Sequence, residues 1–322
     1  MRERAIVVGA SGISGGALIA ELIEAGTEVW ATARYRSRGG HWEKYLDSAH
    51  LVHADVLDLR SLWGILTEAN PSQIYYLAAI VSVPFSSQVP LVTYQTNVMG
   101  WVNMLEAVRM WNGTARILWS GSGDQYGWSA NEHRPLREEA PFLPATAYAA
   151  SKCAQDLIAY QYFRQWKLPI LRTRTFYLAG PGQVESYACA SFAHQVARVE
   201  AGEQDVIKHG NLDAERDYLD IRDVARAYRL LAEKGIPGEA YNVCSGRVIR
   251  MSDALETLRL KARCPIATES DPSRMRPSEV PCVLGSPEKL KAATGWAPKY
   301  SMDETLAEML EYARQAVRSS RI

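Results

Sequence analysis

The 322-residue chain is predicted to be an α/β protein, a doubly wound parallel sheet followed by a smaller C-terminal α/β domain. Three observations lead there. Short apolar runs alternate with longer helical patterns through the first half, the pattern of strand–helix–strand units. A glycine-rich turn joins the first strand to the first helix. After residue 176 the rhythm changes, and shorter strands separate the helical stretches.

The elements follow in order. Ala5–Val8 is expected to be a buried strand and Gly12–Ala25 a helix. Glu28–Ala33, Leu51–Ala54 and Ile74–Leu77 give the second, third and fourth strands, and Ala115–Ser120 and Ile170–Thr175 two more. Helices fall between them at Leu59–Asn70, Leu91–Arg109 and Ala147–Gln165. In the second half, helices are expected at 187–201, 222–233 and 252–260, the middle one capped by Asp223. Pro265, Pro272, Pro277, Pro281 and Pro287 exclude long helices from 264–287. Ser301-Met-Asp-Glu304 reads as a capping box that opens a last amphipathic helix to about Val317.

Composition narrows the function classes. Lys plus Arg equals Asp plus Glu at 36 each, so no electrostatic case exists for nucleic acid or an anionic membrane. The five cysteines, Cys153, Cys189, Cys244, Cys264 and Cys282, are odd in number and lack CxxC spacing. That argues for a reducing compartment and against zinc, and no metal site is expected. With no apolar run of about 18 residues, a soluble cytoplasmic protein is expected.

The first strand runs into GASGISGG, with glycines at 9, 12, 15 and 16. Gly9 permits the tight turn, and Gly12 lets the backbone approach a pyrophosphate on the helix N-terminus. Gly15 allows close helix–sheet packing. This context points to a dinucleotide, with Ser11 and Ile13 on the same turn, and so to a Rossmann-type domain. NAD binders usually end the second strand with an acid that holds the ribose 2′-hydroxyl. Here it ends ATARYR, and Arg34 and Arg36 suit a 2′-phosphate, so NADP(H) is favoured over NAD; the alternative is two solvated loop arginines.

YAASK, residues 148–152, puts a phenol and an ammonium on one helical face. The pair alone is weak evidence. Preceded by a Gly-x-x-Gly-x-x-Gly turn, it resembles the second signature of the extended short-chain dehydrogenase/reductases. The resemblance implies that Tyr148 exchanges a proton with a carbonyl or hydroxyl oxygen. Lys152, together with the positive nicotinamide ring of the oxidised cofactor, would lower the Tyr148 pKa, and Lys152 would bind the nicotinamide ribose. Aligned on Tyr126-Gly127 in LWSGSGDQYG, the third member is Ser122, which would orient the same oxygen; the alternative is an ordinary turn serine. Asp124 stands where 4,6-dehydratases carry a Glu base, but reductases of that branch also carry an acid, so its role stays open. Asp55 and Val56 match the adenine-contacting segment. Leu77, Ala78 and Ala79 match the stretch lining the cofactor, with Tyr76 where many relatives have His.

The second half resembles the GDP-6-deoxy-4-keto-mannose reductases of the GDP-mannose 4,6-dehydratase branch. The resemblance rests on GPGQ (180–183), IKHGNLDAERDYLDIRDVARAY (207–228), YNVCSG (241–246), DPSRMRPSEVP (271–281) and KAATGWAPKYSMDETL (291–306). It implies residues 1–176 as the NADP-binding domain, with 217–245 returning to it, and 177–322 as mainly the nucleotide-sugar domain. By the same resemblance Arg216 and Arg276 bind the diphosphate, Glu279 contacts the nucleotide, and Ser82, Lys208 and Asn211 lie in the substrate region. One departure stands out: Tyr177-Leu178 replaces the usual Asn-His, changing size and hydrogen bonding near the hexose. The expected activity is NADPH-dependent reduction of the C4 ketone of GDP-4-keto-6-deoxy-D-mannose to GDP-6-deoxy-D-mannose. A talose-forming reductase, a 4,6-dehydratase or epimerase, and a non-enzymatic sensor are the alternatives. Helices 91–109 and 147–165 are expected, by analogy, to form a homodimer interface.

Overall fold

The computed structural model describes residues 3–34, 45, 47–275 and 280–319. The N-terminal half builds one sheet from β1 (Arg4–Val8), β2 (Glu28–Ala33), β3 (His50–His53), β4 (Gln73–Tyr76), β5 (Arg116–Ser122) and β6 (Ile170–Thr175). The order is β11-β6-β5-β4-β1-β2-β3, with β11 (Ala240–Val243) as the seventh strand, and every pairing is parallel.

Helices cover both faces. α1 (Ile13–Glu24) and α8 (Ile221–Lys234) share one core with Val7, Leu18, Leu22, Val224 and Leu231. α2 (Leu59–Ala69), α5 (Gly100–Trp111) and α6 (Ala147–Trp166) pack on the other face, over Ile74, Trp101, Ile117 and Trp119. A parallel sheet must be covered on both sides, which is why the central strand β1 carries the unbroken apolar run Ala5–Val8. Local chemistry sets the ends. Asp58 caps α2 by accepting from the Arg60 and Ser61 amides, and Thr146 caps α6 by accepting from the Ala149 amide.

Beyond β6, short strands and helices form a third core. It holds α7 (Ala188–Glu200), α9 (Met251–Leu260) and α11 (Met302–Ser319), with Phe192, Leu255, Leu306 and Leu310 buried. Ser301 and Glu304 form the expected capping box: the Ser301 amide donates to Glu304 Oε2 at 2.8 Å and the Glu304 amide to Ser301 Oγ at 3.2 Å. Among the described residues no helix is long and apolar enough to cross a membrane.

Two expectations are corrected. The helix over 91–109 is interrupted. α4 (Pro90–Tyr94) and α5 are separated by a π-helical turn, Gln95–Met99, and a further short helix, α3 (Val83–Gln88), precedes them. The cause is Asn97, fully buried in that turn. Its amide accepts from the Ile80 amide at 2.7 Å and donates to Ile80 O at 3.1 Å and Ser151 Oγ at 2.9 Å. The cap of α8 is Asp220, which accepts from the Arg222 amide, whereas Asp223 accepts from the Lys299 and Tyr300 amides and ties the C-terminal segment down.

Candidate active site

The glycine turn is shaped by collisions a side chain would cause. Gly9 has φ +94°, and a Cβ there would lie 2.7 Å from Ala78 N. A Cβ on Gly15 would meet Gly9 O at 2.5 Å, so only glycine lets α1 close on the turn. Above Gly12 the space is open: the nearest atom, Gly9 O, is 3.8 Å from where its Cβ would sit. Ser11 and Gly12 are exposed and Ile13 half-buried at the α1 N-terminus, so amides and open space meet where a dinucleotide pyrophosphate fits.

The neighbouring strand ends carry the other expected cofactor residues. Arg34 leaves β2 with its Nη1 4.0 Å from Asp55 Oδ2; Arg36 lies outside the described residues. Asp55 Oδ1 accepts from the Leu57 amide at 2.9 Å, and Val56 is buried with its carbonyl accepting from Asn103 Nδ2 at 3.0 Å. The Leu77 amide donates to Val8 O, Ala78 lies against Gly9, and Ala79 follows before Ile80. Tyr76 is fully buried, its ring 4.7 Å from that of Trp101.

Ser122 ends β5 and is buried; its Oγ accepts from the Asp124 amide at 3.2 Å. Tyr148 begins α6 and shares a hydrogen bond with the Ser122 side chain. One turn later, buried Lys152 donates from Nζ to Ser120 O at 2.8 Å, 5.4 Å from the centre of the Trp119 ring. Burial brings the Lys152 ammonium down to about 7. Burial pushes the phenol well above its ordinary value, the Asp124 charge adds to the rise, and the Ser122 hydrogen bond opposes it. The physical reason is depth: an enclosed phenolate loses more hydration than its neighbours return.

Asp124 lies in a single 3₁₀ turn, Gly123–Gln125, and lines a cavity of about 300 Å³ with Thr146, Tyr126, Tyr177 and Arg216. Tyr177 sits on β7 (Tyr177–Ala179), and its hydroxyl donates to Asp124 Oδ1 at 3.2 Å. Arg216, on β9 (Glu215–Arg216), holds its guanidinium 5.5 Å from the Tyr177 ring and donates to Pro281 O at 3.1 Å. Ser82 is the cap of α3, accepting from the Phe85 amide at 3.3 Å, beside Val83 and Pro84 of the same cavity.

Lys208, on β8 (Val206–His209), lines a second concavity of about 600 Å³ with Arg198, Arg274 and Gln195. Asn211 is exposed and accepts from the Asp213 amide at 2.9 Å. Arg276 and Glu279 lie outside the described residues. The structure therefore gathers Asp124, Tyr177 and Arg216 at one cavity, with Ser122 and Tyr148 beside it, and sets Lys208 at another. Asn97, Gln125 and Asp156 were not expected. Asp156 alone had a signal, falling eight residues after Tyr148 on the same helical face.

Comparison with known proteins shows the family and the fold. A family model described as GDP-mannose 4,6 dehydratase matches residues 6–309. The chain is 34% identical over 289 residues to a GDP-6-deoxy-D-mannose reductase of Pseudomonas aeruginosa, covering 87% of this chain and 95% of the relative. It is 25% identical to a GDP-mannose 4,6-dehydratase of Vibrio cholerae, over 96% of this chain and 93% of the relative. The solved structure of RMD from Pseudomonas aeruginosa complexed with NADPH superimposes with a TM-score of 0.86 at 31% identity, covering 98% of this chain and all of the other. With the seven-stranded parallel sheet, the glycine turn and the paired Tyr148 and Lys152 in place, the chain belongs to the GDP-mannose 4,6 dehydratase family and is an NAD(P)-dependent oxidoreductase of the extended short-chain dehydrogenase/reductase type.

Proposed function

We propose that the protein reduces the C4 ketone of GDP-4-keto-6-deoxy-D-mannose with NADPH, giving GDP-6-deoxy-D-mannose. The observation that carries this reading is the Ser122–Tyr148 hydrogen bond with Lys152 one helical turn on, a proton donor and an orienting hydroxyl side by side. Reduction begins with a phenol that gives up a proton, whereas oxidation of an alcohol begins with a phenolate that takes one. The 34% identity to the Pseudomonas aeruginosa reductase, against 25% to the Vibrio cholerae dehydratase, supports the reductase over a dehydratase. The name of the Pseudomonas aeruginosa relative supports the sugar.

Bound NADPH supplies the hydride equivalent to the ketone carbon. Ser122 Oγ and the Tyr148 hydroxyl converge on the ketone oxygen and stabilise the charge that develops there. Tyr148 then passes its proton to that oxygen. Lys152, fixed on Ser120 O, stands one helical turn away to bind the cofactor ribose. Arg34 supports a 2′-phosphate and so NADPH over NADH, and it has Asp55 within 4.0 Å. Gly9, Gly12 and Gly15 hold the pyrophosphate, while Arg216 and Tyr177 wall the sugar end of the cavity.

In this reading residues 1–176 with 217–245 hold the cofactor and 177–322 mainly the sugar nucleotide, with Lys208, Asn211, Arg276 and Glu279 on the nucleotide side. The protein acts as a cytoplasmic homodimer; Leu91 is 83% exposed and Leu157 on α6 62% exposed, on the helices that would meet. The test is to mix protein, NADPH and enzymatically made GDP-4-keto-6-deoxy-mannose, follow reduced-nicotinamide absorbance, and identify the sugar by NMR. Stoichiometric loss of NADPH with the rhamno configuration at C4 is expected. The talo configuration would reassign the product, and no loss would reject the reductase.

A further inference from the structure

Behind Ser122 lies a buried polar link that the reaction itself does not use. Gln125 is fully buried in the 3₁₀ turn that follows β5. Its Oε1 accepts from the Ser122 amide at 2.8 Å, and its Nε2 donates to Asp156 Oδ2 at 3.1 Å. Both ends of the amide are thus spoken for, and the orientation is fixed. Flipped, it would face donor to donor at Ser122 and acceptor to acceptor at Asp156.

Asp156 is itself anchored. It is fully buried on α6, four residues beyond Lys152 and eight beyond Tyr148, on the face those two share. Arg172 pairs with its Oδ1 and Arg174 Nε with its Oδ2 at 3.1 Å. The two arginines are held in turn: Arg172 donates to Gly238 O at 2.8 Å and Arg174 to the Tyr126 hydroxyl at 2.9 Å. A carboxylate buried between two guanidiniums is costly to move, so it makes a fixed post.

We propose that Gln125 and Asp156 are positioning residues, which tie the backbone of Ser122 to the helix bearing Tyr148 and Lys152 and thereby set the spacing of the two groups that meet the ketone oxygen. The proposal rests on the reading above, in which Ser122 and Tyr148 act on one oxygen. It also explains why a turn between a strand end and a loop carries a fully buried glutamine. An apolar side chain there would fill the space but leave the Ser122 amide and one Asp156 lone pair without their partner. A misplacement of about 1 Å in a reacting pair costs on the order of 100-fold in rate.

The test uses the whole enzyme and four variants: Gln125→Leu, Gln125→Glu, Asp156→Asn, and the double Gln125→Glu/Asp156→Asn. Gln125→Leu is expected to lower kcat by about 100-fold with KM and NADPH affinity within about threefold. Gln125→Glu sets two carboxylates face to face and loses activity, less so at low pH where the pair shares a proton. The double variant restores the contact between positions 125 and 156 with reversed polarity, and the carboxylate introduced at 125 still accepts from the Ser122 amide; the amide at 156 no longer accepts from Arg174 Nε, so the rescue is partial. Its kcat is expected to exceed the product of the two single effects by about tenfold. A double variant no better than the product of its singles would overturn the proposal. So would wild-type kcat in Gln125→Leu, or recovery of thermal stability in the double without recovery of kcat. If the wild type oxidises no NADPH, the functional reading fails, and the link is judged by NMR of ring-labelled tyrosine. The Tyr148 signal, assigned with Tyr148→Phe, should shift in Gln125→Leu and return in the double; a signal unchanged throughout would overturn it. Should Gln125→Leu not fold, the two single polar variants and their double carry the same comparison.

Discussion

Replacing Lys152 by methionine should make the cofactor-free protein more stable while abolishing its use. Lys152 is buried with its ammonium brought down to about 7, against an ordinary Lys value of 10.5. Between those values the unfolded chain keeps a proton that the folded chain has shed, so stability rises with pH across that window and the cost is greatest below it. Linkage gives a cost of about 4 kcal/mol at neutral pH, and a gain in wild-type stability of about 2 kcal/mol from pH 7 to pH 9. Methionine has a similar length and no charge. It forfeits the hydrogen bond to Ser120 O, which offsets about 1 kcal/mol. Net stabilisation at neutral pH is therefore about 3 kcal/mol, shrinking as pH rises. Urea unfolding of both proteins over this range, without cofactor, reads the difference directly. Two curves that run parallel within about 0.5 kcal/mol would refute the reasoning, because they would mean that Lys152 keeps its proton in the fold.

Three further outcomes follow from the same geometry. Tyr148→Phe should lower kcat by about 100-fold or more with little change in NADPH affinity, since only the proton donor at Ser122 is lost; single-turnover kinetics with titrated NADPH checks both. Arg34→Ala should weaken NADPH by about 10-fold and leave NADH within about twofold, read by fluorescence titration of each cofactor. Leu157→Glu, placed at an exposed leucine of α6, should halve the mass seen by light scattering at micromolar concentration, and an unchanged dimer would move the interface elsewhere.

Much of the fold was legible because its determinants are local. Ala5–Val8 is an unbroken apolar run of the kind a covered parallel strand accommodates, and it is a strand of the central sheet. The Ser301–Glu304 box is a four-residue device, complete in the sequence and formed in the structure. What escaped depends on distant partners. Asp223, the expected cap, is instead claimed by the Lys299 and Tyr300 amides, 76 and 77 residues away. The π turn holds Asn97, whose amide bonds Ile80 and Ser151 at once, a long-range arrangement that no helical periodicity records. Gln125 acquires its role only because Asp156, 31 positions on, comes to face it.

The measurement that tests the central claim most directly uses NADPH carrying deuterium at the transferred position. With GDP-4-keto-6-deoxy-D-mannose as substrate, the account predicts one deuterium at C4 of the sugar for each reduced cofactor consumed, and no such transfer in Tyr148→Phe over the same interval. Sugar converted without net consumption of NADPH would contradict it, because the cofactor would then be regenerated within the cycle, as a dehydratase or epimerase requires.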